Sequence, residues 1–373
     1  MEVLRSVDTN RDIVVVIDPG HGGTNEGASY KGIDEKYITV KTANVMYEEL
    51  SKFEGVKVYI THTDAEQDMS LAQRAEYAKS VAADYLISLH YNASATHKSF
   101  GCEVWIPSIS SYYVEGYQLA DKFIDEFKKI GINSRGIKTK IGDDGDEYYG
   151  IIRESESRDI TAIIVEHCYL DNYNDDKYWD SEEDLINYGK SDAIAVARFL
   201  KLKSSVLEED FSEEENVYAD SPEQRIYQDS TPPQIHNVKV TEYVKKDRRL
   251  EFSIEAEDEE TFINYYSYSL DGGESFSELF LWDESLDNDM DVVIENVSEE
   301  NIELMVRVYN QYDLKTQSEV IEVQAVEDKA DYRSKSHNKF LPVALMAIFI
   351  IIISFCLAKK INNKFLKGYR KVK

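Results

Sequence analysis

Apolar and polar positions along residues 12–203 switch repeatedly between two periods. Ile13 to Ile17 is an unbroken apolar run, the pattern of a strand buried on both faces. From Lys36 to Lys52 the pattern changes: Ile38, Thr42, Val45, Met46 and Leu50 recur at helical spacing and predict a helix. The same reading gives strands at Val56 to Thr61, Tyr85 to His90, Glu103 to Ile106 and Ala162 to Glu166, and helices at Leu71 to Val81, Tyr113 to Ile130 and Asp184 to Leu202. Strands alternating with helices predict an α/β domain over 12–203.

The pattern then breaks. Residues 204–231 crowd Glu208, Glu209, Asp210, Glu213, Glu214 and Glu215 among few apolar residues, and read as an acidic linker closed by Thr231-Pro232-Pro233. Over 232–327 the runs become short and alternate, as in Leu250-Glu251-Phe252-Ser253-Ile254 and Ile302 to Val308, with a turn signal at Asp271-Gly272-Gly273. They predict a small all-β sandwich that resembles bacterial immunoglobulin-like modules. After a juxtamembrane stretch at 328–339, Phe340 to Ala358 holds no charge and is long enough, at about 1.5 Å per residue, to nearly cross a bilayer core of about 30 Å as one transmembrane helix.

Charge supplies direction. The formal net charge is −29, yet the last fifteen residues, 359–373, hold seven Lys or Arg and no acid. Basic flanks stay cytoplasmic, so the tail is expected inside and residues 1–339 outside, with the bilayer as partner of 340–358. That orientation needs export, and Met1 to Asp8 has no apolar signal core, so either the natural start lies upstream, which the basic flank favours, or the chain is inserted tail-first with its body inside. So acidic a body excludes nucleic acid as a partner, because phosphate binding needs basic surface. Cys102, Cys168 and Cys356 form no CxxC pair and give no thiolate metal site; they read as buried thiols, with a Cys102–Cys168 bridge left open.

Candidate chemistry gathers at strand ends, where open α/β sheets carry their sites. Asp18-Pro19-Gly20-His21-Gly22-Gly23 puts a histidine just past the first strand, Glu35 stands before the first helix, His90 closes Leu86-Ile87-Ser88-Leu89, and Glu166 closes Ile163-Ile164-Val165. Two imidazoles and a carboxylate are a recurrent catalytic zinc set, and a further carboxylate can move a proton beside it.

These residues resemble the zinc N-acetylmuramoyl-L-alanine amidases of the amidase_3 type. The resemblance spans roughly 12–203 and includes Asp18 to Gly23, Glu35-Lys36, Ser70-Leu71 with Arg74, Ile87 to His90 with Asn92-Ala93, Tyr149 to Arg153, and Val165-Glu166. It implies an α/β fold with a twisted, mostly parallel or mixed sheet flanked by helices, one zinc per chain on His21, Glu35 and His90, Glu166 as catalytic carboxylate, and Arg153 and Asn92 as candidates for contacting substrate or transition state. It further implies hydrolysis of the amide between N-acetylmuramic acid and L-alanine in peptidoglycan. The apolar segment and its basic flank add the expectation of a single-pass bacterial membrane protein, whose immunoglobulin-like module has room for a protein partner. The alternative is a membrane-anchored wall-binding protein with an inactive domain. Asn25, Glu26, His62 and His167 depart from the family pattern, and strand alternation points His167 away from Glu166.

Overall fold

The computed structural model describes residues 11–108, 110–215, 228–283, 288–297 and 301–324. Its first strand, β1 (Ile13–Pro19), is buried along almost its whole length, which requires neighbours on both edges and cover on both faces. A small hairpin, β2 (Ser29–Tyr30) and β3 (Ile33–Asp34), leads into α1 (Glu35–Leu50). There follow β4 (Val56–Ile60), α2 (Leu71–Ser80), β5 (Tyr85–Asn92), β6 (Cys102–Trp105), α3 (Ser110–Ile130), β7 (Ser134–Lys138), α4 (Gly150–Glu156), β8 (Thr161–Tyr169) and α5 (Glu182–Phe199). Ser70 and Ser181 start α2 and α5 with capping boxes, each satisfying two otherwise open main-chain donors.

The six strands lie in the order β4-β1-β5-β8-β6-β7. β4, β1, β5 and β8 are mutually parallel, while β6 runs antiparallel to β8 and carries β7 parallel to itself. The sheet is therefore mixed. Helices α1, α3 and α5 bury Met46, Leu50, Phe123, Phe127 and Val196 against one face. On the other face Ala78 of α2 and Ile151 and Ile152 of α4 meet Val14, Val16, Leu86 and Ile164.

The acidic stretch does not begin as a free linker. β9 (Lys203–Ser204) and β10 (Glu209–Asp210) form a short hairpin. Phe211 stacks on Phe53 at 6.0 Å, and Glu214 pairs with Arg198 at 2.6 Å and Lys122 at 3.1 Å, so part of its charge is met by cations of the α/β fold. Residues 216–227 lie outside the described residues.

Beyond them come β11 (Gln234–Val244), β12 (Arg249–Glu257), β13 (Ile263–Ser269), β14 (Phe280–Leu281), β15 (Asp289–Ile294), β16 (Ile302–Asn310), β17 (Lys315–Gln317) and β18 (Ile321–Val323). They form two sheets, β11-β12-β15 and β14-β13-β16-β17 with β18 on β16. The chain divides into two compact units, Met1–Val238 with Ser253–Met290 and Ile302–Glu322, and Lys239–Phe252 with Asp291–Asn301 and Val323–Lys373. In the first, the α/β sheet edge and the second β sheet share polar contacts. Arg135 Nη2 donates to Asp313 at 2.6 Å, Gln311 Nε2 to the Ile137 carbonyl at 2.7 Å, and Tyr312 Oη accepts the Thr139 N–H at 3.0 Å.

The expected spanning segment at 340–358, with 328–339 and 359–373, lies outside the described residues; among those described, no helix is long and apolar enough to cross a membrane.

Candidate metal centre

β1 ends in a turn that must pass close under β5. Gly20 donates its N–H to the Leu89 carbonyl at 2.8 Å, and a β-carbon at Gly20 would lie 2.4 Å from the His90 ring. The bare backbone is what leaves His90 its place. The next residue, His21, sits at φ 66°, in the left-handed region that non-glycine residues seldom occupy. Arg74 of α2 holds it there: its guanidinium donates to the main-chain oxygens of Pro19, His21 and Met69. The same guanidinium pairs at 2.8 Å with Asp18, which also accepts the hydroxyls of Thr61 at 2.7 Å and Ser88 at 2.9 Å. One buried carboxylate thus ties together the ends of β1 and β4, strand β5 and helix α2.

Glu35, the first residue of α1, is held from two sides. Its Oε2 accepts the Ala28 N–H and its Oε1 the Tyr91 N–H, both at 2.9 Å. Those bonds aim the carboxylate between two imidazoles. His21 Nε2 lies 3.0 Å from Glu35 Oε2, His90 Nδ1 lies 3.0 Å from Glu35 Oε1, and the two ring nitrogens are 3.2 Å apart. One ligand atom from each residue lies within 4.8 Å of the others. His21 Nδ1 faces Asn25 Oδ1 at 3.0 Å, which fixes the protonated nitrogen there and leaves Nε2 as an electron-pair donor. Burial alone would raise the Glu35 carboxyl; its hydrogen bonds to His21 and His90 outweigh that and hold it well below the usual range.

This donor set fits zinc. Two neutral imidazole nitrogens and a carboxylate are its common catalytic ligands, and bonds of about 2.0–2.2 Å at tetrahedral angles put ligand atoms roughly 3.3–3.6 Å apart. The observed 3.0–3.2 Å separations need only a few tenths of an ångström of adjustment.

A second line of groups crosses the sheet beside it. His90 of β5 stands opposite Glu166 of β8, which stands opposite Glu103 of β6. Cross-strand partners share a face, so Glu166 belongs to the histidine side. Its Oε2 is buried and makes no hydrogen bond among the described residues. Burial first, then the charges of Glu35 and Glu103, push its carboxyl well above the ordinary value. Glu103 accepts from Lys138 at 2.6 Å, Arg135 at 2.7 Å, Asn92 at 3.0 Å and Trp105 at 3.1 Å. Burial would raise Glu103 too, but Lys138 and Arg135 outweigh it and lower it to about 2.

Two bulges make this row possible. On β7, Arg135 and Gly136 together stand against Glu103, with Gly136 at φ 83°. Residues 135 and 138 would face opposite ways on a regular strand; the extra residue lets both reach Glu103. On β8, His167 and Cys168 stand against Tyr91. His167 is fully buried on the face covered by α5, between the His90 carbonyl at 2.9 Å and Asp192 at 3.0 Å. Cys102 and Cys168 are both buried and free.

Of the six residues read from the sequence, His21, Glu35 and His90 converge, and Glu166 stands next to them in register. Asn92 binds Glu103, and Arg153 donates to the main-chain oxygens of Glu147 and Tyr148; among the described residues neither bonds Glu166. The buried supports, Asp18, Glu103, Arg135 and Lys138, were not read as functional. Nothing in a single sequence separates Glu103, Arg135 and Lys138 from ordinary surface charges, whereas Asp18 stands in the Asp18-to-Gly23 motif.

Residues 15–198 match the family of N-acetylmuramoyl-L-alanine amidases. The chain is 29% identical over 195 residues to the N-acetylmuramoyl-L-alanine amidase CwlM of Bacillus licheniformis, covering 52% of this chain and 71% of that one. It is 28% identical over 192 residues to the endolysin of Bacillus phage SPP1, covering 51% and 67%. The solved catalytic domain of CwlV, from Bacillus (Paenibacillus) polymyxa var. colistinus, aligns with 51% of this chain and 99% of its own, at 24% identity and a TM-score of 0.45. The match to the Amidase_3 family thus spans residues 15–198, the stretch that carries His21, Glu35, His90 and Glu166.

Proposed function

We propose that this protein is a zinc-dependent amidase that hydrolyses the bond between N-acetylmuramic acid and L-alanine in peptidoglycan. The observation that carries the reading is the convergence of His21, Glu35 and His90, with Glu166 beside them, whose Oε2 makes no hydrogen bond among the described residues. His21 through Nε2, His90 through Nδ1 and Glu35 through its carboxylate would hold the metal. Zinc held there supplies a Lewis acid that polarises a carbonyl and makes water nucleophilic near neutral pH. Glu166 accepts the proton of the attacking water through Oε2 and returns it to the amine of L-alanine as the carbon–nitrogen bond breaks. Products are the muramic lactyl carboxylate and a peptide with a free amino-terminal alanine. Repulsion from Glu35 is part of what raises Glu166, and a cation held by Glu35 would offset that repulsion and favour the ionised form that a base requires.

The charge pattern at 340–373 supports a single-pass anchor with the amidase domain outside a bacterial membrane and the tail in the cytoplasm, and the short strands after residue 232 support an immunoglobulin-like module that serves partner binding. Tethering would raise the local concentration of wall substrate around the domain.

The test combines metal analysis of the full chain with mass spectrometry of its products on purified muropeptides. Expected are one zinc per chain, products with a free lactyl group and a free amino-terminal alanine, and loss of both after chelation. Cleavage confined to bonds within the stem peptide, or a zinc-loaded chain that binds wall without cutting it, sinks the reading. Protease added outside intact cells should release the domain; complete protection reverses the topology.

A further inference from the structure

A cleft of about 400 Å³ lies between the 94–99 segment that follows β5 and the sheet containing β13, β16 and β17. That volume is within the range of small-molecule and peptide sites. Ser94 lines it, four residues past His90, and four residues span at most roughly 13–14 Å. The Ser94 wall of the cleft therefore lies within roughly 13–14 Å of His90 along the chain.

Its chemistry departs from the rest of the molecule. The chain carries −29, yet Lys98, Arg307 and Lys315 line this cleft against one acid, Asp313. Asp313 is already paired with buried Arg135 at 2.6 Å. Lys98 donates to the main-chain oxygens of Phe276 and Ser277 at 3.1 and 2.7 Å, so it pins the wall and spends most of its donors there. Arg307 lies with its guanidinium carbon 3.4 Å from the Phe276 ring centre, and Nε donates to Gln317 at 2.7 Å. Its four remaining N–H groups make no hydrogen bond among the described residues. Lys315 is exposed beside Tyr309. Two available cations over an aromatic and hydroxyl-rich lining suit a ligand with carboxylates and some apolar surface.

We propose that this cleft is a second recognition site, which binds the carboxylates of an acidic peptide attached to the bond being cut. The proposal rests on the amidase reading for the identity of that peptide, and it gives the β-rich region a part in substrate selection. Arg307, preorganised on Phe276, supplies the planar fork that carboxylates match, and Lys315 adds a mobile charge at the rim.

The probe is L-alanyl-D-glutamate, which begins with alanine and which an amidase of this kind would not cut. Calorimetric titration into the full, zinc-loaded chain compares it with the same dipeptide fully amidated. Amidation is expected to weaken binding about tenfold or more, the size of one charge-assisted hydrogen bond. Lys315→Glu and Arg307→Gln should each reproduce that loss, Arg307→Lys should recover part of it, and all three should keep zinc content and melting temperature. On muropeptides the variants should raise KM with kcat unchanged. Equal affinity for the free and amidated dipeptides, no effect of Lys315→Glu, or glycerol phosphate binding as tightly as the dipeptide would overturn the site. Charge-dependent binding without any muropeptide cleavage keeps the site and overturns the amidase reading; cleavage with KM unmoved by Lys315→Glu does the reverse.

Discussion

Glu166 and Gly20 show how much rests on single atoms. Glu166→Gln preserves size and shape but cannot accept a proton at neutral pH. Turnover should fall by about 10²–10⁴ while zinc content and melting temperature hold. Parallel loss of zinc would make Glu166 a ligand, and near-normal turnover in a zinc-loaded chain would remove its role altogether. Gly20→Ala tests the neighbouring imidazole sterically, since the new β-carbon would meet the His90 ring at 2.4 Å. Overpacking of this kind costs about 1–3 kcal/mol. A folded protein with zinc occupancy reduced at least tenfold is expected; full occupancy would mean that His90 moves aside and still binds. His21, Glu35, His90 and Glu166 could be read from the sequence because strand ends and a helix start deliver them, and apolar runs mark those ends. Their partners were not legible, because a buried Glu103 and an exposed Glu208 look alike until the chain is folded.

At the level of elements, strand and helix cores followed the apolar periodicity, and their ends moved by up to a few residues. β7 and α4 went unread for local reasons. β7 is Ser-Arg-Gly-Ile-Lys, whose glycine and charges suppress any strand pattern, and α4 spans only seven residues. Bulges are equally silent, since they are defined by the partner strand. The Asp18–Arg74 clamp is the element-level device with the clearest consequence. Arg74→Met strands a buried carboxylate and should cost about 3–5 kcal/mol by chemical denaturation. Adding Asp18→Asn removes that stranded charge and should recover much of the stability. Zinc affinity should stay low in the double variant, because the Pro19 and His21 carbonyls still lack their donor. Affinity that returns together with stability would reduce Arg74 to a packing role.

For the molecule as a whole, pH tests whether buried carboxyls carry the energetic weight that their surroundings imply. Asp175 packs under the 101 and 169 backbone, with Oδ2 accepting the N–H groups of Gly101 at 2.7 Å and Tyr169 at 2.8 Å. Burial dominates over those two bonds and raises its pKa from 3.8 to about 6. A carboxyl raised in the folded state contributes stability that is fully present below its unfolded pKa and is lost as pH climbs through the folded one. The window is therefore about pH 4 to 6, and a shift of about two units is worth about 3 kcal/mol. Glu103 acts in the opposite sense, but its contribution disappears only as pH falls toward about 2, below this window. Asp175→Asn removes the titration. Any constant effect of the amide cancels when the difference between variant and wild type is followed against pH. That difference should move in favour of the variant by about 3 kcal/mol between pH 4 and 7, at roughly 1–2 °C of melting temperature per kcal/mol for a chain of this size. Calorimetric scans of both proteins at half-unit steps give the measurement. A difference that stays flat across the window would mean that Asp175 ionises at its ordinary pKa, and that its two backbone hydrogen bonds fully compensate its burial.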